Sequence, residues 1–431
     1  MPVPSAAESA PTSRELRTEL LVVGAGPAGA AAAAWAARAG REVLLVDRAE
    51  FPRDKTCGDG LTPRAVAELD ALGLGEWLRA QHLNVGLRAR GFGQELFLRW
   101  PTTAEFQGIG SAVPRTELDA RIRQVALDAG ATALTATAVG ADVEGGGVSA
   151  VHLRDADGPL TVRAERVVVA DGARSQLGRH LGRHWDRSTA YGVAARAYVE
   201  IGAPDDLWIS SDLELRDAQG EVLPGYGWVF PLGGGRVNIG VGTLATDARP
   251  AEVNLRRLLD TYTDTQRDQW DIKGEPQRFA SALLPMGGAV AGIAGRNWVM
   301  VGDAAGCVNP LNGEGIDYGL ETGRLAADLL FEPADDLAAT WPALLRRRYG
   351  VAFSVARRAA ALLTHPRFVP TFGPAGMRSP LLMKLALRVM GNLVTEEDSD
   401  ALARAWRLAG LGSLRLDPVP PFPGPDLRRA G

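Results

Sequence analysis

Four stretches of this chain are apolar almost without interruption and short enough to be strands: 19–23 (ELLVV), 42–46 (EVLLV), 167–170 (VVVA) and 298–301 (WVMV). Runs of that length bounded by glycine or a carboxylate predict buried strands. The first two are joined by a tight turn, Gly24 to Gly29, and a small-residue helix from Ala28 to Ala39; the second ends at Asp47. That succession is a βαβ unit. Residues 86–107 and 190–245 instead alternate, as strands do, with turns at points such as Gly233-Gly234-Gly235. Helices are predicted over 65–72, 75–79 and, with Leu118, Ile122, Val125 and Leu127 on or near one face, 115–129. Residues 131–170 read as strand-rich. A loop and a helix to about Leu330 follow the last buried strand, and 341–410 are mostly helical. The first 18 residues, rich in Pro, Ser, Ala and Glu, predict a disordered leader. The tail around Pro418, Pro420, Pro421, Pro423 and Pro425 predicts no regular structure.

One alternating stretch concentrates large apolar surface. In Gly225-Tyr226-Gly227-Trp228-Val229-Phe230-Pro231, the three aromatic side chains would share one face of a strand. That face suits a hydrophobic core or an apolar ligand.

Composition narrows the class. A chain of 431 residues with 46% hydrophobic and 23% charged residues is an ordinary globular protein, long enough for two or three structural units. The formal net charge of −4 gives no support to nucleic-acid binding. The two cysteines, Cys57 and Cys307, cannot form a multi-disulfide framework, and no metal is expected. Leu20 to Ala37 is uncharged and close to the length of a membrane span, but Gly24, Gly26, Pro27 and Gly29 fit a buried strand–turn–helix better.

Gly24-Ala25-Gly26-Pro27-Ala28-Gly29 matches G-x-G-x-x-G between a strand and a helix. Gly24 permits the turn, Gly26 lets a pyrophosphate approach, and Gly29 lets helix and strand pack closely. Asp47, at the end of the next strand, stands where a carboxylate accepts hydrogen bonds from an adenosine ribose. This fingerprint serves FAD and NAD alike. Two distant segments bear on the choice: Val169-Ala170-Asp171-Gly172 and Val301-Gly302-Asp303-Ala304-Ala305-Gly306, the latter running on to Pro310-Leu311-Asn312-Gly313-Glu314-Gly315-Ile316. Together with the N-terminal unit they resemble the family of FAD-dependent hydroxylases, halogenases and prenyl reductases.

That resemblance implies FAD as cofactor and an α/β fold. A Rossmann-like FAD-binding domain of the p-hydroxybenzoate hydroxylase type (19–85, 108–185 and 280–340) would carry an inserted antiparallel β-sheet substrate domain (86–107 and 186–279). A helical C-terminal region (341–412) and a Pro-rich tail (413–431) would follow, with 1–18 as leader. It implies that Asp303 binds the ribityl chain, that Asp171 lies at the cofactor, and that Gly313, Gly315 and Ile316 lie at the pyrimidine side of the isoalloxazine. Arg115 would contact a phosphate or ribityl oxygen, and Val139 would touch adenine through its backbone. Cys57-Gly58-Asp59-Gly60 resembles the C-G-x-G loop of geranylgeranyl reductases, so Cys57, Gly58 and Gly60 would run along the flavin. The aromatic stretch is similar to their P-x-x-Y-x-W-x-F-P motif, with one residue instead of two between Pro224 and Tyr226. Tyr226, Trp228 and Phe230 would then line a channel for a polyprenyl lipid, menaquinone or another.

The implied reaction is saturation of an isoprene double bond by hydride from reduced flavin plus a proton. Tyr226 and Trp228 could favour cationic character on the alkene. Cys57 is either the proton donor or a small residue that merely fits the loop. The electron donor is unassigned. Alternatives are a monooxygenase or halogenase on the same fold, the latter with Lys55 as the lysine nearest the flavin loops, and a non-enzymatic FAD-holding quinone sensor. From Trp341 to Val394 there are nine basic residues and no Asp or Glu. Lys384, Arg388 and Asn392 form a narrow polar stripe there. Either a solvated basic edge or a peripheral membrane surface fits, the latter placing the protein at the cytoplasmic face of the plasma membrane.

Overall fold

The computed structural model describes residues 14–332, 336–395 and 397–424. Its first sheet has seven strands, with Arg14–Val23 at the centre between Val43–Asp47 and Gly158–Val169. Leu20, Leu21, Val22 and Val23 pair in parallel with Val43 to Val46 on one side and, for the last three, Val167 to Val169 on the other. Trp298–Met300 continues the parallel set beside Val167–Val169. Helices cover this sheet, which is why its central strands carry no polar face. The helix Pro27–Arg38 is buried on nearly every side. Its packing against Ile316–Leu330 is intimate: a Cβ on Gly323 would lie 2.4 Å from the Ala28 carbonyl oxygen.

The second sheet also has seven strands, in the order Ile272–Leu284, Tyr191–Ile201, Arg236–Ala245, Gly225–Gly233, Trp208–Asp212, Gly86–Gly91 and Gln94–Arg99. All its pairings are antiparallel except Trp208–Asp212 with Gly86–Gly91. Its two faces are used differently. Val229, Ile239 and Ala197 point to one face and pack under the helix Leu255–Trp270 through Leu258, Leu259, Tyr262 and Trp270. Trp228, Gly240 and Arg196 stand in register on the other, which meets the loop at residues 54–60. The outermost strand, Ile272–Leu284, is mostly exposed; its register slips twice, and Arg278 has a φ of 54°.

Three expectations need correction. The leader does not extend to residue 18: Arg14 to Thr18 already belong to the first strand, paired with Leu160 to Ala164. Its polar residues escaped notice because this end of the strand is exposed. Residues 1–13 of the expected leader lie outside the described ones. The sheet region also contains the 16-residue helix Leu255–Trp270, capped by the Asn254 side chain, whose apolar positions recur with helical spacing. Finally, the tail is not loose. The last helix, Ala401–Leu416, passes the expected limit, and Phe422 is fully buried against Tyr349 and Phe353. Arg346 donates to the Phe422 carbonyl, and the Phe422 amide donates to Gly288. Residues 425–431 lie outside the described ones.

Candidate active site

The glycine turn has the steric features of a phosphate cradle. Gly24 has a φ of 105°, and a Cβ there would sit 2.3 Å from the Ala170 carbonyl oxygen. A Cβ on Gly29 would sit 1.8 Å from the Gly24 oxygen. On Gly26 the nearest neighbour is Arg53 Nη2 at 3.5 Å, so this glycine faces open space beneath a cation. The helix begins at Pro27 with no side-chain cap, which leaves first-turn N–H groups, including those of Ala28 and Gly29, for an anion. Asp47 accepts from the Ala25 amide at 2.7 Å and from the Ala49 amide at 3.0 Å, so its carboxylate is held above the turn. These residues fit the diphosphate and ribose of FAD.

Behind this cradle runs a chain of paired charges. Arg53 bridges Asp47 (3.6 Å) and Asp119 (3.0 Å). Asp119 also takes both branches of the buried Arg115, at 2.6 and 2.8 Å. Arg115, expected on the cofactor, is therefore committed first to Asp119, and its charge acts on the nearby Cys57 thiol. Arg53 was not singled out from sequence; its position one residue after Pro52 in a polar loop carried no motif. Asp303 is half-buried and pairs with Lys55 at 2.9 Å. Burial would raise its pKa, but the Lys55 ammonium outweighs that and holds it below the usual carboxylate range.

The structure joins the Cys57–Gly60 loop to the aromatic strand. Tyr226 and Trp228 lie 5.9 Å apart between ring centroids, and Trp228 and Phe230 6.1 Å, a continuous aromatic row. Trp228 lies across Gly240, where a Cβ would fall 2.1 Å from its ring. Gly58 and Gly60 face the Trp228 and Phe230 rings so closely that added Cβ atoms would stand 3.3 and 2.9 Å from the Phe230 ring. Trp228 is only 6% exposed, so it is also part of the packing between sheet and loop. Tyr226 donates its hydroxyl to the Asn312 carbonyl, which ties the row to the segment before the helix Ile316–Leu330. Asn309 and Asn312 are held from the other side by the Met390 carbonyl. Gly313 has a φ of 75°, and Gly315 starts the helix without a side-chain cap.

Beneath the aromatic row is a buried polar cluster that sequence reasoning missed. Asn238 donates to the Cys57 carbonyl and to Asp59, both at 2.9 Å, and accepts from Trp228 Nε1 at 2.9 Å. Tyr198 donates to the same Asp59 oxygen at 2.7 Å. Burial raises the Asp59 carboxyl to about 6, against the opposing bonds from Asn238 and Tyr198. Burial likewise raises Cys57, opposed by Arg115, so its thiol keeps its proton at neutral pH. Glu314 is pushed well above its usual range by burial and by Asp317.

Two further residues expected at the cofactor have the following neighbours in the fold. Asp171 spends its carboxylate on the Ser175 hydroxyl and the Leu177 amide, capping its own turn. Val139 is exposed on the strand Thr137–Glu144, three residues after Ala136, whose amide donates to the Asp47 carbonyl. Cys307 is fully buried in the core. Among the described residues no cluster suited to a metal occurs.

The FAD binding domain family matches residues 17–336. The menaquinone reductase of Mycobacterium tuberculosis is 59% identical over 404 residues, covering 94% of this chain and 98% of that protein. Digeranylgeranylglycerophospholipid reductase 1 of Methanopyrus kandleri is 31% identical, over 74% of this chain and 81% of its own length. A geranylgeranyl bacteriochlorophyll reductase-like protein from Thermoplasma acidophilum superposes with a TM-score of 0.69 at 22% identity, covering 92% of this chain and 96% of its own. The cradle and the matches agree: this chain is an FAD-dependent oxidoreductase and belongs to the menaquinone reductase family.

Proposed function

We propose that this chain saturates a carbon–carbon double bond in the polyprenyl side chain of menaquinone. The observation that carries the reading is the aromatic row seated on the Cys57–Gly60 loop, in a chain that matches a menaquinone reductase almost end to end. Bound FAD, once reduced, supplies the hydride for one alkene carbon. The protein's share is binding, orientation and a proton. A polyprenyl tail offers nothing to hydrogen-bond, and Tyr226, Trp228 and Phe230 present it with apolar surface worth roughly 25 cal/mol per Å² buried. In this reading the Cys57 thiol, kept protonated at neutral pH by burial, delivers the proton to the second carbon. A halogenase would need a lysine at the substrate, and Lys55 is instead paired with Asp303.

The test is incubation of purified protein with FAD, a chemical reductant and menaquinone. The expected product is heavier by two hydrogens, with no oxygen added. An oxygenated product, or unchanged menaquinone with fully reduced flavin, overturns the reading. Cys57→Ser is expected to retain FAD and lose about a hundredfold or more in turnover. Full turnover would remove the thiol from the proton path.

The substrate is a lipid, and the C-terminal helices have a surface suited to reaching it. The charges do less than their number suggests. Arg357 and Arg358 bond Gly287 and Asp417, and Arg388 pairs with Asp398 and Asp400. Asn392 turns inward to Asp317. What faces out is apolar: Phe372 is 58% exposed, Leu381 69% and Leu382 52%, with Arg378 and Lys384 exposed beside them. No helix among the described residues is long and apolar enough to cross a membrane. We infer peripheral docking through this patch. Replacing Leu381 and Leu382 together by Glu is expected to weaken flotation with anionic liposomes by roughly tenfold or more while sparing FAD binding. Unchanged flotation would exclude the patch.

A further inference from the structure

We propose that Asn238 is a positioning residue that registers the aromatic row against the Cys57 loop, with Asp59 as its anchor. This inference rests on the prenyl-reductase reading and names what holds its two halves together.

The hydrogen-bond arithmetic leaves Asn238 one orientation. Trp228 Nε1 can only donate, and the Cys57 carbonyl can only accept. Asn238 meets the first with its oxygen and the second with its nitrogen. The remaining amide hydrogen goes to Asp59 Oδ2, which also receives the Tyr198 hydroxyl. Asn238 and Asp59 are fully buried and Trp228 nearly so, so no bulk water replaces a lost partner. The Trp228 bond ties two neighbouring strands of the sheet, and the bonds from Asn238 to Cys57 and Asp59, with that from Tyr198 to Asp59, cross from the sheet to the loop, whereas the aromatic row and the glycines meet only by packing. Packing alone permits sliding; directional bonds to both sides of the gap fix the register. Asp59 itself is held in an unusual backbone state, φ 63°. Its Oδ1 is buried without a partner. A carboxylate satisfied on one oxygen only is a poor choice for stability, which points to a role in placement.

Asp59 brings a titration into the linkage. The groups facing it are Arg115, Arg196, Tyr198 and the Cys57 thiol. Ionised, Asp59 accepts strongly from both Asn238 and Tyr198. Protonated, it weakens both bonds and loosens the register. Activity through this linkage therefore rises with pH across the range around 6. The stability sign is opposite: the folded chain holds this proton longer than the unfolded one, so stability present at low pH is lost as pH rises through 6.

The test uses full-length protein loaded with FAD, together with the FAD-free chain. Wild type must first yield the doubly hydrogenated menaquinone; if it does not, the functional reading fails and not this one. With wild type active, Asn238→Leu is expected to keep FAD affinity within about twofold and lose about a hundredfold in kcat/KM. In the FAD-free chain, hydrogen exchange at Gly58 and Asp59 should accelerate. On a Trp228→Phe background, which removes the indole donor, the loss from Asn238→Leu should shrink severalfold, because both changes break one link. Asp59→Asn should remove the inflection around 6 from the kcat/KM profile. Additive losses in the double variant, or an inflection retained by Asp59→Asn, overturn the proposal. Should Asn238→Leu fail to fold, the Asp59→Asn profile decides it.

Discussion

Gly29→Val is expected to yield a chain that cannot keep FAD. The Cβ alone would sit 1.8 Å from the Gly24 carbonyl oxygen and 2.9 Å from Ala170 Cβ. The first obstacle is backbone in the turn itself, so no side chain can swing aside to relieve it. The helix Pro27–Arg38 would have to lift away, and its N-terminal donors would no longer converge beneath Gly26. Overpacking costs of about 3 kcal/mol are ordinary where the surroundings cannot yield, and the same loss from binding is about a hundredfold in affinity. Flavin absorbance after gel filtration reads the outcome. A yellow protein with wild-type stoichiometry would mean that FAD is held elsewhere.

Glu321→Ala is expected to destabilise the protein by about 3–5 kcal/mol. The carboxylate is fully buried between Arg64 Nη1 at 3.3 Å and Arg348 Nη2 at 2.7 Å. Burial would raise its pKa, but the two guanidinium groups outweigh that and hold it below the usual range. It therefore stabilises the fold at neutral pH, and that contribution fades as pH falls through its depressed pKa. Removing it leaves Arg64 buried with the more distant Asp317 for charge. Arg64 also donates to the Asn392 carbonyl, so exchange protection should fall as well in the turn after the helix Pro380–Met390. A melting temperature unchanged from wild type would contradict this.

What could be read from sequence follows the range of the forces involved. The buried strands, the glycine turn and the shared face of Tyr226, Trp228 and Phe230 depend on neighbours in the chain, and periodicity reports those directly. Arg115 with Asp119 is spaced like a helical ion pair and was visible in principle. The helix Leu255–Trp270 was also within reach, since Asn254 caps it and its buried side follows helical spacing. Other features depend on partners far along the chain. Lys55 meets Asp303, Asn238 meets Cys57, and Phe422 fills a space beside Tyr349 and Phe353. No local pattern announces such meetings. The basic C-terminal third shows the opposite failure. Its composition was plain, but which arginines face inward depends on carbonyls and carboxylates that only the fold brings near.

The irregular outer strand Ile272–Leu284 has a consequence for crowding. A regular, apolar sheet margin would invite the same margin of another copy to zip onto it. Here Lys273, Glu275 and Arg278 stand along it, with breaks in register between them. Many copies gathered on one lipid surface would thus find a poor template for edge-to-edge aggregation, and each could go on working separately.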